Sequence, residues 1–358
     1  MSPGRLSPLI RQVRAPDAGN ERAARAHLDT LAKPPGSLGV LEDLAVRLAG
    51  ISGFPPAPSC RPCVLVFGAD HGVAARGVSA YPDEVTGHVL RAVAEGTAAV
   101  SVMARAIGAE VVAVDMGTHS PVEADGVLPV RIAAGSSDLS AGPALTEDQA
   151  YRSIEAGFEI GARFARQNDV IGLGEVGIGN TTVAAALAVT LAGVPVQRAV
   201  GRGTGISDSV LAQKRRIVAA AARRVATADP ISALREVGGL EVGGLAGAAL
   251  GAAAMGRPVV LDGYISSVAG LVAARLEPAV SAYLFASHRS AEPGHRDVLD
   301  ALGLHPPLDL SMRLGEGTGT VLAFPILRVA AAVLGEMGTL EAVLATAPSH
   351  ASGRAQSG

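Results

Sequence analysis

The chain contains no tryptophan, and only 4 tyrosines and 6 phenylalanines among 358 residues. Its core must therefore be aliphatic and alanine-rich, and a flat ligand would be gripped by Leu, Val, Ile and Met more than by stacked rings. Cysteine is as scarce. Cys60 and Cys63 are the only two, in Cys60-Arg61-Pro62-Cys63. A zinc site would need about two further ligands at suitable spacing, and none is near. A redox Cys-x-x-Cys should follow a strand and open a helix, whereas this pair precedes the apolar run 64–67. Two plain thiols at a loop–strand boundary suit a reducing cytoplasm. Charge of one sign is also lacking: 30 Lys and Arg stand against 33 Asp and Glu, and the basic residues are scattered. That excludes the electrostatic footprint of a nucleic-acid binder. The longest uncharged apolar runs, such as 242–255, fall short of the ~18 residues a bilayer span requires. The first residues are polar and rich in Arg and Pro, so neither a secretion signal nor a membrane span is expected.

Glycine, by contrast, is abundant: 44 residues, about 12% of the chain against a usual figure near 7%. Hydrophobic residues make up 49% and charged residues 18%, a balance that argues against disorder over most of the length. Short apolar runs alternate with longer helical ones. Residues 64–67, 110–115, 170–173, 258–261 and 282–286 read as strands buried on both faces. Between them, Thr146 and Gln149 form a capping box, behind which Ala150, Ile154, Phe158, Gly161 and Ala165 share one helical face. Further helices are expected at 181–191, 209–227, 240–255 and 265–274. This alternation predicts an α/β fold with a parallel sheet and right-handed crossovers. Both chain ends read as helical without a strong strand, which suggests a small helical domain of residues 1–54 plus 321–358 beside a core of 55–320. The last ten residues are expected to fray.

Three glycine loops carry the chemistry. They are Gly174-Glu175-Val176-Gly177-Ile178-Gly179-Asn180-Thr181-Thr182, Gly201-Arg202-Gly203-Thr204-Gly205 and Leu314-Gly315-Glu316-Gly317-Thr318-Gly319-Thr320. The first lies between a strand and a helix, where backbone N–H groups and the helix dipole bind anions. Thr181 can add a hydroxyl and Lys214 a positive charge. Ligands bind at the carboxyl ends of strands in such sheets, so the loops should converge on one site for a phosphorylated small molecule. The loops do not match G-x-G-x-x-G, and the chain has no G-x-x-x-x-G-K-[ST], which argues against a dinucleotide or ATP site. Glu316, set in a dry glycine-lined pocket, would have a raised pKa and serve as a general base; Glu175 is a second candidate. His71, His119 and His288 each follow a strand. None shows the i, i+4 spacing of a helical metal site, and the chain has no G-x-S-x-G elbow.

The motifs Lys33-Pro34-Pro35-Gly36-Ser37-Leu38-Gly39, Ala69-Asp70-His71-Gly72-Val73, Gly77-Val78-Ser79-Ala80-Tyr81-Pro82 and Glu84-Val85-Thr86 occur in order. They precede the three loops, Asp262-Gly263 and the run from Ala286 to His295. In this the chain closely resembles the nicotinate-nucleotide–dimethylbenzimidazole phosphoribosyltransferase family of cobalamin lower-ligand assembly, from about residue 28 to 345. The resemblance implies transfer of ribose 5-phosphate from nicotinate mononucleotide to 5,6-dimethylbenzimidazole, giving α-ribazole 5′-phosphate and nicotinate with inversion. It implies a Rossmann-like sheet flanked by helices, a small helical domain from the termini, a homodimer and no cofactor. Glu316 falls at the family's catalytic base and Glu175 at a second active-site carboxylate. Phosphate and ribose contacts fall on Gly177, Ile178, Gly179, Asn180, Thr181, Gly203, Thr204, Lys214 and Gly315. The base pocket falls around Ser79, Tyr81, His88, Val176 and Leu314. His88 stands where Gln is expected and Val176 where Leu or Met is usual. Those departures leave open another lower-ligand base (a benzimidazole without methyls, a purine or a phenol). A nucleotide hydrolase and a non-catalytic nucleotide sensor are the rival readings.

Overall fold

The computed structural model describes residues 6–56 and 60–345; the expected frayed C-terminus lies outside them. Among the described residues, the larger of two compact units comprises 6–16 and 60–326. Its centre is a six-stranded sheet of β1 (Pro62–Ala69), β2 (Glu110–Gly117), β3 (Val127–Pro129), β4 (Val170–Val176), β5 (Val259–Leu261) and β6 (Leu284–Ala286). Every pairing is parallel and the spatial order is β3-β2-β1-β4-β5-β6. That is the doubly wound order, in which the chain reverses direction across the sheet between β1 and β4. All eight residues of β1 are buried, which explains a strand sequence with no polar alternation.

Helices cover both faces. Consecutive strand residues point to opposite sides. Gly68 meets Leu90 of the helix Val85–Ala94, while its neighbour Phe67 meets Gly244 of the helix Leu240–Ala254. The second of these helices is buried from Leu240 to Ala253 and lies against Glu147–Ala165 at backbone contact. A methyl group on Gly247 would overlap the carbonyl oxygen of Ile154, so glycine is what lets the two helices approach. The capping box of Thr146 and Gln149 is present.

Several boundaries differ from the sequence reading. The strand expected at 282–286 keeps only Leu284–Ala286, because a 3₁₀ turn at Pro278–Tyr283, opened by its proline, takes the preceding residues. The helix expected at 209–227 ends at Ala222, and a second, Pro230–Val237, follows with Asp229 as its N-cap. β3, three residues long, offers too short a pattern to be read.

Among the described residues the smaller unit comprises 17–56 and 327–345. Asp17 caps the helix Ala18–Thr30 through two backbone N–H groups, and Val40–Ser52 follows. The motif 33–39 connects these helices, with Lys33 paired to Glu42 at 2.8 Å. Leu31 bridges Thr339, ahead of the helix Leu340–Ala345. The helix Leu6–Ile10, expected in the helical domain, groups instead with the larger unit. The helix Thr318–Glu336 begins in the larger unit and ends in the smaller. By length and composition it could cross a bilayer, but it carries Arg328 and is 56% buried, as a core helix would be.

Candidate active site

A cavity of about 540 Å³ is lined by the end of β4, the loop after it and all three glycine loops. It lies at the carboxyl end of a strand bordering the topological switch, where ligands of such sheets bind. Of the residues the sequence points to, Ser79, Tyr81, Val176, Gly177, Ile178, Gly179, Asn180, Thr181, Gly203, Thr204, Leu314 and Gly315 line this cavity together with Glu175 and Glu316. Lys214 stands just behind the wall. His88 does not join them: it is exposed on the helix Val85–Ala94 and lines a separate cavity of about 370 Å³ with Asp83, Arg91 and His119.

The anion side is built first. β4 ends at Val176, and Gly179, with φ 96°, is the N-cap of Asn180–Ala192. The Ile178 N–H is held by the Thr86 hydroxyl at 3.2 Å. Lys214 donates to Thr181 Oγ1 at 2.8 Å, and burial pushes its ammonium down to about 8. Thr204 is tied to the opposite rim, accepting the Ala80 N–H at 2.9 Å. Arg313 donates to the Gly203 carbonyl at 3.2 Å and adds a second cation. Beneath the loop lies a fully buried pair, His71 Nε2 and Glu241 Oε1, 3.0 Å apart. Burial lowers the His71 pKa, yet Glu241 and Asp70 outweigh it and the net shift is upward.

The acid side faces it. Glu175, at the end of β4, is buried and accepts a hydrogen bond from Asn180 Nδ2. Burial first, then Asp262, Glu241 and Glu316, hold its pKa well above the ordinary carboxylate value. Glu316 sits in a turn of three consecutive left-handed residues, with φ 87° at Gly315, 62° at Glu316 and 89° at Gly317. Its N–H is bound by the Glu175 carbonyl at 3.0 Å. The turn packs so tightly on β4 that a methyl on Gly174 would overlap the Gly317 nitrogen. Burial raises the Glu316 pKa, and among the described residues its Oε2 meets no hydrogen-bond partner.

Sequence reasoning does not single out Asp262, Tyr264, Ser290, Glu292 or Arg313 as functional. The last four line the cavity. Glu292 is buried beside Lys214 and Arg313, whose charges oppose the upward shift that burial gives its pKa. A carboxylate among anion-binding groups has no sequence signature, because its neighbours come from distant loops. Among the described residues no cluster of three or more His, Cys, Asp or Glu side chains could hold a metal ion.

This arrangement can seat an anion at one end and take a proton at the other. A phosphoribosyltransferase family model matches residues 13–343. A protein of Desulforamulus reducens named nicotinate-nucleotide–dimethylbenzimidazole phosphoribosyltransferase is 45% identical over 339 residues, 93% of this chain and 97% of that protein. The chain belongs to that phosphoribosyltransferase family. A Pseudomonas aeruginosa protein of the same name is 46% identical over 94% of this chain and 97% of its own. The crystal structure of CobT from Thermus thermophilus superposes with a TM-score of 0.87 at 42% identity, covering 90% of this chain and 98% of that one. The family's fold is thus the one described above.

Proposed function

We propose that this chain transfers the ribose 5-phosphate of nicotinate mononucleotide to 5,6-dimethylbenzimidazole, releasing nicotinate and α-ribazole 5′-phosphate for cobalamin assembly. The observation that carries the reading is the meeting, in one cavity, of an anion cradle and two carboxylates with raised pKa values. The phosphate would sit on the 177–181 turn, Gly203, Thr204 and Lys214, remote from the reacting carbon. Its binding would hold C1′ in place for attack. The bond from C1′ to the pyridinium nitrogen breaks, and its electron pair stays on nicotinate, so the leaving group needs no acid. The free nitrogen of the azole attacks C1′ from the opposite face, which inverts that centre. The azole N–H proton passes to Glu316, the only proton transfer the reaction requires. Glu175 would stand beside the cationic pyridinium, whose charge favours the ionised carboxylate. Ser79, Tyr81, Val176, Gly315 and Leu314 would border the azole and the sugar.

The catalytic unit would be the α/β core, the larger of the two compact units. Atoms and charge balance without a cofactor. We place the protein in the cytoplasm, where its substrates are small molecules and its partner is a second copy of itself.

Incubation with nicotinate mononucleotide and a panel of benzimidazoles, purines and phenols tests the reaction. Nicotinate should appear only when a base is added, with 5,6-dimethylbenzimidazole among the good acceptors. Release without a base would mean a hydrolase, and no release with any base would end the reading.

A further inference from the structure

We propose that Asp262 is the positioning residue for Glu316: it fixes the 315–317 turn by its backbone and sets a second buried carboxylate beside that turn. This rests on Glu316 being the base. Asp262 directly follows β5 and is 2% exposed. Its Oδ2 accepts the Gly317 N–H at 3.0 Å and its Oδ1 the Gly319 N–H at 2.6 Å.

Those donors open the helix Thr318–Glu336 and would otherwise be orphaned. An N-cap is usually supplied by Ser, Thr, Asp or Asn at the helix start. Here Gly317 holds that place and has no side chain, so a residue 55 positions earlier in sequence does the capping. Two strands therefore grip the turn, β5 through Asp262 and β4 through Gly174 and the Glu175 carbonyl. A left-handed glutamate persists only where its surroundings impose it.

Capping alone does not require a charge, since Asn caps about as well as Asp. The charged groups around Asp262 show what the carboxylate adds. Glu175 lies on β4 and Glu316 on the turn. Glu241 acts on Glu175 from Leu240–Ala254 while paired to His71. From the end of β6, His288 Nδ1 comes within 3.9 Å of Asp262 Oδ1, and burial favours its neutral form. No described cation thus neutralises Asp262. Burial first, and Glu316 in addition, push its carboxyl up to about 7 against the pull of the Gly319 and Gly317 N–H groups toward the ionised form. Coupling between like charges is reciprocal, so an ionised Asp262 opposes ionisation of Glu316 in turn. Glu316 is a stronger base for having that neighbour.

The test compares wild type with Asp262→Asn in the full chain, following kcat and KM for both substrates across about pH 5 to 9. We expect kcat to fall at least tenfold, KM for the nucleotide to stay within about threefold, and the acid limb of kcat to move down by about one pH unit. An unchanged kcat, or a fall in kcat with the limb unmoved, overturns the proposal. If Asp262→Asn does not fold, Thr318→Val decides. It removes the 2.9 Å hydrogen bond from Thr318 Oγ1 to the Gly315 carbonyl and leaves the charge in place. We expect a lower kcat with the acid limb where wild type has it; full kcat overturns the proposal. A wild type without base-dependent nicotinate release would refute the function instead, so the two failures are distinct.

Discussion

Glu316 has to be ionised to accept a proton, and its surroundings resist ionisation. Burial favours the neutral acid, so the pKa lies above the ordinary 4.5. The rate should therefore fall as pH drops through a value higher than a solvated glutamate would give. Replacing Glu316 by Gln keeps the shape and removes the base. We expect kcat to drop by about 10²-fold or more with little change in nucleotide KM, the usual scale for a lost general base; full turnover would contradict the assignment. Lys214 has the opposite sign. Its protonated form would pair with the phosphate, and burial holds its pKa down to about 8. In the free enzyme that charge is lost as pH rises through about 8, so kcat/KM for the nucleotide should decline there. Lys214→Met should raise KM and abolish that decline, and a decline that survives the substitution would assign it to another group.

Elements, rather than single residues, explain what was legible in the sequence. Strands buried on both faces produce continuous apolar runs, and glycine loops at their ends mark the ligand side. Five strands and the main site loops were therefore readable. The capping box of Thr146 and Gln149 was readable because all its parts are local. Asp262 was not readable as a cap, because its helix begins more than fifty residues later. The placing of His88 was not readable for a related reason. Position 88 lies in the first turn of Val85–Ala94, near cavity residues in sequence, yet it lines the smaller cavity and not the larger. Of the two departures, Val176 lines that larger cavity. Helix contacts also make a prediction. Gly247→Ala would push Leu240–Ala254 off Glu147–Ala165 and should cost about 1–3 kcal/mol, as overpacking does. Equilibrium unfolding in denaturant measures it, and unaltered stability would mean the two helices can slide apart without loss.

At the scale of the whole molecule, the doubly wound sheet gathers distant segments onto one edge. β1 and β4 adjoin in space though a hundred residues lie between them in sequence, and the cavity sits beside that reversal. The sheet brings the 177–181 turn and Glu316 to one cavity with Lys214 just behind its wall, so a single small substrate could span the turn and the acid. The most direct test is a crystal structure of the Glu316→Gln variant, whose slowed chemistry should let nicotinate mononucleotide and 5,6-dimethylbenzimidazole be trapped together. The account predicts the phosphate on residues 177–181 with Lys214 beside it, and the azole N–H within about 3 Å of the side chain at position 316. A phosphate bound elsewhere, or an azole beyond reach of that side chain, would contradict it.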